Sequence, residues 1–240
     1  MPVWLALLGL LPPLAFMLLV DRLDAKRPEP PRTLRRTTLA GAIAFFPCGF
    51  LEVALDSLGP RDPLAHGLFR AFVVVAAVEE LAKLFCLRFY VWNKIEFDER
   101  LDGLVYAMRA ALGLTLVENV FYLFALGSVR SFVAALVMRA LLTVPIHMIS
   151  AGLLGYCATR RKFDGKGPGL WGGYLIAVAV HGVFDAALFA APVALDLQRP
   201  LIADLLVGVP VVEVIVGGFV TWVLAKRALS RDDVASRARR

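Results

Sequence analysis

Residues 68–90 read LFRAFVVVAAVEELAKLFCLRFY, an apolar run long enough to cross a bilayer that nonetheless carries Glu79, Glu80 and Lys83 near its centre. A charge facing lipid at that depth costs about 2.5–3.5 kcal/mol even on a lenient insertion scale, so such residues turn toward a bundle interior or a wet cavity. How this stretch is read decides the fold: if it spans, the chain is a membrane bundle with a polar interior. The rest of the chain agrees. Of 240 residues, 59% are hydrophobic and 19% charged, below the roughly 25% charge of a soluble domain.

Working outward, seven segments reach spanning length: 3–20, 38–55, 67–90, 103–126, 131–157, 170–190 and 201–225. The breakers between them, RPEPPR at 27–32, GPRDP at 59–63 and DGKGPG at 164–169, mark turns. The expected fold is all-α, a polytopic transmembrane helix bundle of about seven spanning helices. The first segment lacks a basic n-region and a small-residue cleavage site, and reads as a retained helix. Most of the 26 lysines and arginines fall in loops 21–37, 88–100 and 159–168 and after residue 225. That bias places the N-terminus outside and the C-terminus in the cytoplasm, in a multi-pass protein of the cytoplasmic membrane. The net charge of +6 then sits beside anionic lipid, and nucleic acid is not an expected partner. A membrane domain over 1–226 is expected, followed by a basic cytoplasmic tail, 227–240, whose end RDDVASRARR reads as disordered. Cys48, Cys86 and Cys157 all fall in apolar segments and read as buried thiols.

The polar residues inside the membrane are few and clustered in depth. At 100° per residue, Lys83 lies about 40° from Glu79 and about 60° from Glu80 on the helix wheel, so it can neutralise one carboxylate and leave the other as a base. Glu118, followed by Asn119, shares a stripe with Gly103, Ala107, Ala111 and Leu114, a mostly small surface that lets another helix approach. Pro145 frees a backbone carbonyl ahead of His147, and Arg139 two turns away reads as snorkelling outward. Gly173, Ala177, His181 and Asp185 recur every fourth residue and present an imidazole with a carboxylate one turn on. Glu79, Glu80, Glu118, His147 and His181 all fall roughly 10–25 Å below the outer surface at about 1.5 Å per residue. Glu52 and Glu213 either line the same cavity or bond to a neighbouring helix.

In this order, Glu79-Glu80-x-x-Lys83, Asp102-Gly103 with Gly113 and Glu118-Asn119, then His147, then His181-x-x-x-Asp185, the chain resembles the PrsW family of intramembrane proteases, distantly akin to the CAAX prenyl endopeptidases. Leu114 stands where that family has an aromatic residue. The resemblance implies cleavage of membrane-anchored proteins such as anti-sigma factors, in or next to the bilayer. It implies site roles for Glu79, Glu80, Lys83, Glu118, Asn119, His147, His181 and Asp185. Two chemistries fit. A zinc ion could be held by His147, His181 and Glu118 with a position open for water. Without a cofactor, Glu79 or Glu80 would take the proton from water, with a histidine stabilising the oxyanion; the lysine-paired carboxylates make this the simpler reading. There is no H-E-x-x-H. A proton- or ion-coupled carrier would use the same midplane residues and would show inverted repeats. A non-catalytic scaffold would use them as helix glue.

Overall fold

The computed structural model describes residues 3–126 and 128–238, and among these all regular structure is helical. Seven rods follow one another: α1 over 3–23, α2 Pro31–Asp56, α3 over 63–91, α4 Arg100–Phe124, α5 Val129–Asp164, α6 Gly169–Asp196 and α7 Pro200–Ala238. Five of them, α2, α4, α5, α6 and α7, are long and apolar enough to cross a membrane. The other two carry what sets them apart. α1 tightens into a 3₁₀ turn at Leu7–Leu10 just before Pro12 and Pro13. α3 widens into π turns at Arg70–Ala76 and Cys86–Val91, on either side of the Glu79–Lys83 stretch.

Local chemistry places the boundaries. The Asp62 side chain accepts from the Ala65 N–H at 2.8 Å and starts α3 at Pro63. Glu99 and Asp102 form a reciprocal capping box at the start of α4. Asp102 is thereby spent on a helix end far from the midplane glutamates. α5 stops at Gly165, whose φ of 65° needs no Cβ. Within α5, a π turn at Arg139–Thr143 precedes Pro145. The donor missing at Pro145 is absorbed in that widened turn.

α4 is the hub. From Leu101 to Thr115 every residue is buried, with α2 on one side and α5 on the other. The small residues of α4 allow this. A Cβ on Gly113 would stand 1.9 Å from the Thr38 carbonyl oxygen of α2, and one on Gly103 2.5 Å from the Gly155 carbonyl oxygen of α5. In a membrane, where the hydrophobic effect does not drive helices together, such close backbone approach supplies the packing. Gly113→Ala is therefore expected to force α2 and α4 apart and to cost about 1–3 kcal/mol, read as a lower thermal midpoint in detergent.

The expected disordered tail is corrected. α7 runs without a break through 227 to Ala238, and Arg239 and Arg240 lie outside the described residues. Asp232 is buried and receives the Arg100 guanidinium at 2.9 Å together with the Arg100 backbone N–H. Arg231 and Arg100 share Asp164, each at 2.6 Å, and Arg27 bridges Glu99 and Asp233. The tail is held by charges from three other parts of the chain, none of them near it in sequence.

Candidate active site

α3 brings its two adjacent glutamates to different tasks. Glu80 is fully buried, and its Oε1 accepts from Lys83 Nζ at 2.6 Å and from Ser150 Oγ at 2.9 Å, with His181 Nδ1 2.8 Å away. Of the two carboxylates within reach of Lys83 on the helix wheel, the lysine takes the one three residues back. Lys83 also stands 3.1 Å from His147 Nδ1.

Glu79 is left facing a cavity of about 610 Å³ enclosed by α2 to α6. Glu79 Oε2 is buried and makes no hydrogen bond, although His147 Nδ1 stands 3.2 Å from it, a distance without the angle a bond needs. The two imidazole rings meet edge to face with centroids 4.7 Å apart. Glu118 and Asp185 line the same cavity. Glu118 Oε2 lies 3.4 Å from His147 Nε2, and Asp185 Oδ2 lies 3.4 Å from His181 Nε2.

The structure thus brings Glu79, Glu118, His147, His181 and Asp185 to one cavity, with Glu80 and Lys83 behind it. Asn119 points elsewhere. Its Nδ2 donates at 2.9 Å to the Gly9 carbonyl, which Pro12 and Pro13 cannot satisfy, and its Oδ1 accepts from Arg139 Nε. Arg139 is buried rather than snorkelling outward. Its guanidinium pairs with Glu118 Oε1 at 2.7 Å and lies over the Tyr122 ring at 4.8 Å. Arg139 sits in the π turn that precedes Pro145. Ser150 was also hidden, one serine in an apolar helix with no motif around it. Glu52 lines the cavity; Glu213 has a buried Oε2 without a partner but is not among the lining residues.

One metal-ligating group stands out. Glu79, His147 and His181 each offer a ligand atom, and the three atoms lie within 4.8 Å of one another. The carboxylate of this trio is Glu79, whereas the zinc site offered from the sequence used Glu118. One carboxylate and two imidazoles are a donor set of open catalytic zinc sites. Charge agrees with that fit: the cavity lining and the pair behind it hold five carboxylates, Glu52, Glu79, Glu80, Glu118 and Asp185, and three permanent cations, Arg70, Lys83 and Arg139. Five ionised carboxylates against three cations carry an excess of two negative charges, which one divalent cation balances.

The comparisons with known proteins now bear on this geometry. A family model described as PrsW family intramembrane metalloprotease matches residues 29–221. The chain belongs to the PrsW family. It is 34% identical over 180 residues to Protease PrsW of Geobacillus kaustophilus (strain HTA426), covering 74% of this chain and 75% of that one. Against Protease PrsW of Clostridioides difficile (strain 630) it is 30% identical over 188 residues, 77% and 79% of the two chains. With Protease PrsW of Bacillus subtilis (strain 168) the values are 29% over 181 residues, 74% and 78%. No solved structure matches the chain. As a PrsW family member it is a peptidase of the membrane interior, a multi-pass protein of the cell membrane. The matched stretch spans all the cavity residues from Glu52 to Asp185. These relatives are proteases, not carriers.

Proposed function

We propose that the chain hydrolyses a peptide bond of membrane-anchored proteins, of the kind anti-sigma factors represent, at a single metal ion held by Glu79, His147 and His181. The observation that carries this reading is the convergence of those three buried donor atoms within 4.8 Å on the wall of the cavity. A bound divalent cation supplies Lewis acidity toward the scissile carbonyl and lowers the pKa of water. The chain's own residues do the rest. Glu80 fixes the His181 ring through Nδ1 and leaves Nε2 on the cavity side. Glu118 Oε2, a buried oxygen without a hydrogen bond, takes the proton from water and hands it to the leaving amine. Arg139 holds the other oxygen of Glu118 and so aims that carboxylate. Lys83 neutralises Glu80, which makes it a positioning residue rather than a source of the base. The metal-free alternative keeps its base on this placement, since Lys83 neutralises Glu80 and leaves Glu79 on the cavity; the metal-assisted reading is preferred because two imidazoles converge with that same carboxylate.

The metal and the substrate are tested together. Purified protein should carry about one zinc ion per chain, and His147→Ala and His181→Ala should each reduce that to about a tenth or less. Membrane fragments released from cells by the native chain, and absent with the His147→Ala variant at equal abundance, would identify the substrate. Full proteolysis by protein stripped of metal would sink the metal-assisted reading.

In the same reading one membrane domain carries the activity, with the N-terminus outside and the C-terminus in the cytoplasm, as the basic loops direct. Arg139→Gln should lower kcat about 10–100-fold with KM little changed, as for other residues that orient a group in contact with the reaction. Arg139→Lys, which keeps the charge but loses the planar fork, should recover part of the loss. Equal falls in kcat and thermal stability for both variants would make Arg139 a packing residue.

A further inference from the structure

A second cleft lies on the outer surface between α2 and α3. Ile43, Ala44 and Pro47 of α2 face Leu81, Ala82 and Phe85 of α3 across a groove of about 340 Å³ whose lining includes no charged side chain. We infer that this groove receives the transmembrane helix of the protein substrate and feeds its cleavage site into the catalytic cavity. This inference rests on the protease reading above and adds to it the path of the substrate.

Continuity with the site is the first argument. Cys48 lines both the groove and the catalytic cavity. Along α3 the two follow end to end: the cavity takes Arg70, Val75 and Glu79, and the groove runs from Val78 to Tyr90. The partition between them is thin, the Cys48 thiol standing 4.0 Å from the Val78 carbonyl oxygen. Pro47 supplies the second argument. It has no N–H to give to the Ile43 carbonyl four residues back, and both residues line the groove. An acyl chain cannot satisfy such a carbonyl, whereas a side-chain donor of the guest helix, or an N–H of its first turn, can. The third argument is fit. Alanines at 40, 44 and 82 let a helix approach closely, and only 17% of the most apolar window of α2 is buried within the chain. The π turns at both ends of the Glu79–Lys83 stretch give α3 wide segments that can adjust as a guest helix docks.

The geometry fixes a distance as well. From Val78 to Tyr90 α3 rises about 18 Å, so a docked helix lays about twelve residues along the groove before its chain turns into the cavity. The cut should therefore fall about twelve residues from the end of the substrate's apolar segment that lies beside Tyr90, with the rest of that segment unwound or beyond the cavity.

The test uses two substrates with one cut site. One is the membrane protein identified by fragment release, with its transmembrane segment; the other is a water-soluble peptide of the residues around the mapped cut. Ala44→Phe/Ala82→Phe should lower the ratio of kcat/KM for the membrane protein to kcat/KM for the peptide at least about tenfold. Ile43→Trp, on the exposed rim where packing is not disturbed, should lower the same ratio by a smaller factor. Leu201→Phe, equally bulky but on the exposed face of α7, should leave the ratio alone. A ratio unmoved by both groove variants, or a cut mapped at the segment's far end, would overturn the groove. Failure of the native chain to cut either substrate would instead overturn the protease reading on which the groove depends.

Discussion

Glu79→Gln abolishes proteolysis and leaves the protein at least as stable as before: that is the expected result of the most informative single substitution. The two halves of the expectation have one cause. Glu79 Oε2 is buried, and no hydrogen bond offsets its desolvation, so the native fold bears a carboxylate that it does not need for packing. Glutamine keeps the shape and removes the charge, which relieves that burden. The same change removes the carboxylate from the His147–His181 cluster, and the loss of a group in direct contact with the reaction should lower kcat by about 10³-fold or more. The measurement is kcat on the mapped substrate beside the thermal midpoint in the same detergent and the zinc content of the same preparation. Activity, zinc and stability then separate the possibilities. Loss of activity with loss of zinc marks Glu79 as a ligand. Loss of activity with full zinc would make it the base, as the metal-free reading had it, with the metal held elsewhere. A midpoint lowered by many degrees, with activity lost only in proportion, would mean that Glu79 is a packing residue after all.

How much of this could be read from the chain follows from the range of the forces involved. Helix number and rough position come from runs of apolar residues, a signal contained in each segment, and the seven segments reappear as α1 to α7. Depth is also local, since it needs only residue counting from the helix ends, which is why Glu79, Glu118, His147 and His181 do share one cavity. Which carboxylate meets which cation is not local. Lys83 was compatible with either glutamate on the helix wheel, and Ser150 and His181, from two other helices, decide for Glu80. Arg139 looked like an outward-snorkelling basic residue from its place two turns from His147; partners on α4, Glu118 and Asn119, hold it inside instead. Asn119 shared the depth of the site but binds the Gly9 carbonyl, an acceptor left free because Pro12 and Pro13, three and four residues on, have no N–H to give it. The tail failed for a similar reason: Asp232 is a solvated charge by composition and a buried one by virtue of Arg100, more than a hundred residues away.

The second large effect concerns the pair behind the cavity. Glu80 and Lys83 are both buried to within 1% of complete exclusion and bonded at 2.6 Å. Breaking a buried pair from one side leaves a charge without its partner, at a cost of about 3–5 kcal/mol, whereas removing both charges together is often neutral. The two sides are not equivalent here. Lys83→Met leaves Glu80 with the Ser150 hydroxyl and the His181 ring; Glu80→Gln leaves the Lys83 ammonium without its counter-charge, facing a neutral amide oxygen and the His147 imidazole. Glu80→Gln should therefore lie at the upper end of that range and Lys83→Met at the lower. The double variant should recover at least half of the larger loss, read as unfolding midpoints in a detergent–denaturant titration. Activity should not recover with it. His181 Nδ1 would face an amide in place of a carboxylate, so the ring loses the charged partner that holds its orientation, and zinc content should fall even where stability returns. If the two single costs simply add in the double variant, the pair is not coupled, and the division of labour between a structural Glu80 and a reactive Glu79 falls with it.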